Sequence, residues 1–219
     1  MSRSKYEMME WFDYFQVVSL LFLFLAVMGR AIHLRVTQHI NPIAIGVGKT
    51  GLRRLIELGF VIGLVLWVVI VLSCSLHFEL NERPVLRLVN TQLLNWQSAK
   101  LVGAILLICS LIIFISALVS FGNSWRVGID EKTPGELVSR GIFAISRNPI
   151  FLSLILYASG AFLISGRLIL LLFVVLVVIG VHYQIVQEER FLLKRYGKAY
   201  QDYCARTGRY ITLRSSFLF

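Results

Sequence analysis

Residues 149–186 read PIFLSLILYASGAFLISGRLILLLFVVLVVIGVHYQIV, two apolar runs parted only by Gly166-Arg167. A helix that crosses a hydrocarbon layer of about 30 Å needs roughly 20 mostly apolar residues. The run 149–165 is a little short of that and the run 168–186 close to it. One glycine and one arginine leave room for a chain reversal and nothing more. The two runs are therefore expected to form a tight antiparallel helical hairpin, with both of its open ends on one side of a membrane.

Working outward, three further apolar runs precede the hairpin. The first covers residues 14–28, with flanks reaching Trp11 and Ile32, and Trp11, Phe12 and Tyr14 stand where an interfacial aromatic belt is expected. The second covers about 55–78 and the third about 101–121. Composition agrees: 57% of the 219 residues are hydrophobic and only 16% charged, far from a soluble domain. The fold class expected is an all-α integral membrane protein with about five transmembrane helices. Residues 1–121 form an N-terminal three-span region and residues 122–219 a functional region of loop, hairpin and C-terminal helix. Residues 187–206 read as a C-terminal amphipathic helix on the cytoplasmic side, with Phe191, Leu192 and Tyr196 against a charged face. Glu7, Glu10 and Asp13 ahead of the first run, with no small-residue cleavage site after it, argue against a cleaved signal peptide.

The net charge of +10 would suggest nucleic acid in a soluble protein. Here the basic residues flank spans, where they orient the chain and meet anionic headgroups, so no nucleic-acid partner is expected. Orientation follows from Lys and Arg alone. The connections after the first and third runs, together with the C-terminus, carry 16 of them, from Arg30 to Arg214, against six on the other side. The N-terminus is expected outside and the C-terminus in the cytoplasm, in a bacterial inner membrane. Cys74, Cys109 and Cys204 have no paired spacing, so neither a disulfide frame nor a metal site is expected.

Chemistry is expected where the hairpin opens. Arg147-Asn148-Pro149 leads into its first helix and Glu188-Glu189 leaves its second, so the two meet in space. Arg147 with Glu188 or Glu189 would make a charge-assisted pair. The plainer reading has Arg147 snorkelling, Pro149 starting a helix at its favoured first position, and the glutamates ending one in water. Gly46-Val47-Gly48, the one glycine cluster, follows no strand-like run and gives no dinucleotide fingerprint.

The order of pieces tips the balance. Gly141-Ile142-Phe143 and Ser146-Arg147-Asn148-Pro149-Ile150-Phe151 precede the hairpin, and EERFLLKRYGKAYQDY, residues 188–203, follows it. This set resembles the isoprenylcysteine carboxyl methyltransferase family and the related phospholipid methyltransferases over about residues 122–212. The resemblance implies binding of S-adenosylmethionine at the cytoplasmic ends of the hairpin. Glu188 and Glu189 would meet its ammonium and sulfonium charges, while Arg147 and amides around Asn148 and Pro149 would meet its carboxylate. Gly141 would permit close backbone approach, and Phe143, Phe151 and Tyr200, with Tyr203 nearby, would hold the adenine. Glu188 and Arg147 are the residues expected to be catalytic. The mechanism implied is direct displacement at the methyl carbon, carried by proximity and alignment, on a lipophilic or amphipathic acceptor entering from the bilayer.

Asn148 stands where that family has His, Phe151 where it has Tyr, Gln184 where it has Arg, and Ile211-Thr212 where it has Ile-Pro. A neutral Gln184 speaks against a prenylcysteine carboxylate as acceptor. Trp125, Arg126 and Gln184 are the expected acceptor side, although Trp125-Arg126 also reads as an interfacial anchor. Two other readings stand beside this one. The tail Tyr196-Gly197, Tyr203-Cys204 and Arg209 is also similar to that of NADPH-dependent sterol carbon-14 reductases, and a non-catalytic membrane scaffold could keep the same fold.

Overall fold

A computed structural model describes residues 11–37, 39, 51–76, 91–122 and 137–212. Six α-helices carry the described chain: α1 (Trp11–Thr37), α2 (Leu52–Ser75), α3 (Gln97–Phe121), α4 (Pro149–Ser165), α5 (Leu168–Tyr196) and α6 (Lys198–Arg206). A 3-10 turn, Gly141–Ala144, precedes α4. Among the described residues there is no β-strand, and one isolated antiparallel bridge pairs Gln92 with Arg167.

Four helices, α1, α2, α3 and α5, are long and apolar enough to cross a membrane. α4 is equally apolar but has 17 residues, or about 25 Å at ~1.5 Å per residue. Leu21, Phe22 and Leu25 on α1, Val65 and Leu66 on α2, and Val175, Leu176 and Ile179 on α5 are all exposed. Such continuous apolar faces suit hydrocarbon rather than water, and the protein is an integral membrane protein.

Backbone contact between α3 and α4 holds the core. A Cβ on Gly103 would stand 2.7 Å from the Gly160 carbonyl oxygen, and one on Gly160 equally close to that of Gly103. Small residues let two helices approach this closely where the surrounding lipid is as apolar as any side chain. Trp67, Val71, Leu107, Tyr157, Ala161 and Leu170 are buried around this crossing. Two polar contacts lie inside: Ser19 and Tyr157 share a hydrogen bond of 2.7 Å, and Ser110 Oγ donates to the Ser153 carbonyl at 2.8 Å.

The hairpin turn is fixed at Gly166, whose φ of 65° is left-handed. A side chain there would run into the Leu94 carbonyl, because residues 91–94 bracket the turn. Leu93 N–H donates to the Gly166 carbonyl at 2.7 Å, and Leu168 N–H to that of Thr91 at 2.9 Å. One boundary differs from the sequence expectation. The fifth helix continues through the charged residues to Tyr196 and breaks only at Gly197, where φ is 53°. The expected helix over 187–206 is thus the last turns of α5 plus the separate α6. Helix-favouring Glu, Arg, Leu and Lys carry α5 out of the apolar layer without a break.

Candidate functional site at the mouth of the hairpin

Local chemistry builds the entrance to α4. Asn148 precedes Pro149, the first helical residue, where proline's missing N–H costs nothing. Asn148 N–H donates to Ser146 Oγ at 3.1 Å. Its side chain does not cap the helix; it turns toward Glu189 Oε1 (3.5 Å) and donates to the Arg209 carbonyl at 3.2 Å. Gly141 has a φ of 63°, and a Cβ there would stand 2.5 Å from Ser120 Oγ, so glycine is needed for both backbone conformation and space.

The C-terminal segment closes over this entrance. Past α6, Arg147 N–H donates to the Gly208 carbonyl at 3.0 Å. Thr212 N–H and its hydroxyl both donate to the Ile145 carbonyl, at 2.9 and 2.7 Å. Thr212 thus uses an N–H that proline would lack. Tyr203 OH donates to the Phe143 carbonyl at 2.7 Å, tying α6 to the 3-10 turn.

Glu189 stands at the centre. Its Oε1 lies 3.0 Å from Arg147 Nη2. Arg209 grips both oxygens, with Nη2 at 2.7 Å from Oε2 and Nε at 3.1 and 3.2 Å from Oε2 and Oε1. Side chains of Arg147 and Glu189 are 12% and 13% exposed, that of Arg209 39%, so the first two meet where water screens little. The carboxylate beside Arg209 raises its guanidinium pKa further. Among the described residues, two polar atoms here are buried without a hydrogen-bond partner, Arg147 Nε and the Tyr200 hydroxyl. Burial pushes the Tyr200 phenol up, and the charge of Glu189 adds to it; burial likewise raises that of Tyr203. Both stay protonated.

The structure brings Arg147, Asn148, Glu189, Tyr200 and Tyr203 to one place. Of the two glutamates that the sequence left as alternatives, Glu189 is the partner of Arg147. Glu188 is half-buried one residue earlier, turned about 100° around the helix at 3.6 residues per turn. Phe143 is buried against Phe121, ring centroids 4.5 Å apart; Pro149 is buried and Phe151 half-buried on α4. Gln184 lines a groove between α2, α4 and α5. Trp125 and Arg126 lie outside the described residues. Sequence reading did not place Arg209 in the site, nor the hydrogen bond of 3.0 Å between His182 Nδ1 and Tyr210 OH. His182 lies seven residues before Glu189, hence on nearly the same face of α5, a spacing that could have marked it.

The described residues thus form a polytopic helical membrane protein with a charged, partly closed cluster where two helices open. Residues 98–199, just under half of the chain, match the family model of the phospholipid methyltransferases. No curated protein aligned significantly with the chain.

Proposed function

We propose that the protein is an S-adenosylmethionine-dependent methyltransferase acting on a lipophilic acceptor that reaches it from the bilayer. The observation that carries this is the pair of buried donors, Arg147 Nε and Tyr200 OH, without hydrogen-bond partners among the described residues, beside Glu189 in and next to the matched region. A buried donor left unpaired costs about 1–3 kcal/mol, a cost that a ligand carboxylate admitted to the site would offset. The residues present fit a zwitterion of this kind. Arg147 and Tyr200 would hold its carboxylate, Glu188 would face its positive groups, and Glu189 would keep Arg147 and Arg209 in position. When bound, S-adenosylmethionine supplies a methyl group on a positively charged sulfur, open to in-line displacement. The work left to the chain is orientation and exclusion of water, which the 207–212 segment serves by covering the entrance.

The distribution of Lys and Arg supports a cytoplasmic hairpin mouth with the N-terminus outside, so the cofactor enters from the cytoplasm. Gln184, on the groove flank of α5, belongs to the acceptor side.

Calorimetric titration of the detergent-purified protein with S-adenosylmethionine tests the reading, with NADPH as competing ligand. Arg147→Ala and Glu188→Gln should each weaken binding at least about tenfold, or ~1.4 kcal/mol. Binding of NADPH instead would make the protein a reductase; binding of neither by folded protein would make it a scaffold.

A further inference from the structure

One stripe of α5 runs from apolar side chains straight into unpaired positive charge. At 3.6 residues per turn, Leu172, Leu176, Ile179, Tyr183, Arg190 and Lys194 fall within a strip about 60° wide. The first four are exposed, whereas Leu170, Val181 and Ile185 on the opposite face are wholly buried. The stripe therefore faces lipid, and Arg190 and Lys194, both exposed, continue it. They stand about 33 and 39 Å beyond Leu168 at ~1.5 Å per residue. A tilt of about 20°, ordinary for a span, lowers these heights to about 31 and 37 Å. Hydrocarbon ends near 30 Å, and headgroups add about 5–7 Å on each side. Both cations thus reach the phosphates of the leaflet at the hairpin mouth.

Several described cations are already occupied. Arg147 and Arg209 bind Glu189, Arg30 donates to the Gly122 carbonyl, Arg206 to that of Asp202, and Lys100 and Arg167 have partners of their own. Arg190, Lys194, Arg195 and Lys198 are exposed and have no partner among the described residues. The helix dipole accounts for Lys194 and Arg195 in the last turn of α5. It does not account for Arg190, a turn earlier, and it opposes Lys198 at the first position of α6. Positions three and four away from Arg190 hold Val186, Gln187, Leu193 and Lys194, so no carboxylate neutralises it along the helix.

We propose that this end of α5 is a binding site for an anionic phospholipid, with its phosphate held between Arg190 and Lys194. Arg195 and Lys198 strengthen the positive field around it. That field favours a headgroup of net negative charge, whereas a zwitterionic headgroup would bring its own ammonium into it. The occupant is a boundary lipid and not the methyl acceptor, since Gln184, on the acceptor side, points about 120° away from Arg190. The site therefore stands whether or not the protein transfers methyl groups. Occupied, it ties the break at Gly197, from which α6 and the 207–212 cover follow, to the membrane surface.

The test titrates full-length protein in detergent with equimolar phosphatidylglycerol and phosphatidylcholine of the same chains, counting bound lipid by native mass spectrometry. Phosphatidylglycerol should bind at least about tenfold tighter, ~1.4 kcal/mol. The double variant Arg190→Gln/Lys194→Gln should lose that preference. Arg35→Gln/Arg140→Gln removes two other exposed cations that have no partner among the described residues, and it should keep the preference. Equal binding of the two lipids by the unaltered protein would overturn the proposal. So would a preference that survives in Arg190→Gln/Lys194→Gln, or one lost equally in both variants, which would mark a general effect of charge rather than a site.

Discussion

Replacing Glu189 by Gln keeps shape and one acceptor oxygen but removes the charge that faces two guanidiniums. Arg147 then loses its 3.0 Å partner, and Arg209 its two-pronged contact with both carboxylate oxygens. Breaking a buried ion pair from one side costs about 3–5 kcal/mol. Glu189 and Arg147 approach that limit, whereas Arg209 is 39% exposed and its share is screened. The net cost falls to about 2–3 kcal/mol. It falls on the docking of the 207–212 segment, because Arg209 is the charged anchor of that segment and backbone hydrogen bonds do the rest. Two of those bonds report directly: Arg147 N–H to the Gly208 carbonyl and Thr212 N–H to that of Ile145. Hydrogen exchange of these two amides should therefore speed up about 30- to 150-fold in Glu189→Gln, taking ~1.4 kcal/mol per factor of ten. Amides of α3 and α4 around Leu107 and Tyr157 should not change. Unaltered exchange at Arg147 and Thr212 would refute the view that Glu189 holds the cover closed.

At the α3–α4 crossing, Gly160→Leu would drive a side chain into the Gly103 carbonyl 2.7 Å away; a loss of about 1–3 kcal/mol should appear as a lower melting temperature in detergent. Tyr157→Phe removes one hydrogen bond to Ser19, and since such bonds average about 0.6 kcal/mol in membranes, its melting temperature should fall only slightly. The raised pKa values of Tyr200 and Tyr203 predict an alkaline limit. The unfolded phenols ionise near their ordinary value of 10.0 while the folded ones stay protonated. Their contribution is therefore whole below pH 10 and lost as pH rises above it. Thermal melts across that range should show the loss, and Tyr200→Phe should flatten it.

Much of the helical layout could be read from sequence because hydrocarbon makes a simple demand. The runs at 149–165 and 168–186 are mostly apolar, and Gly166-Arg167 permits only a reversal. The end of α5 was less legible. Glu188, Glu189 and Arg190 look like an exit into water, yet they favour helix, and the break waits for Gly197. In the site, Arg147 and its glutamate partner could be foreseen because the hairpin forces their helix ends together. Arg209 could not: it returns to Glu189 only after chain turns at Gly197 and around Gly208, and no spacing records that path. The groove beside Gln184 was hidden for another reason. Gly59 and Gly63, which line it, sit in an apolar run, where a missing side chain reads like any other helix position until a neighbouring helix leaves the space unfilled.

The most direct test of the central claim is transfer of a labelled methyl group from S-adenosylmethionine into organic-extractable lipid by the purified protein, reconstituted in vesicles of membrane lipid extract. Label in the lipid phase that grows with time for the unaltered protein, and falls at least about tenfold (~1.4 kcal/mol) in Arg147→Ala, is the expected result. No lipid label from folded, reconstituted protein would contradict the account.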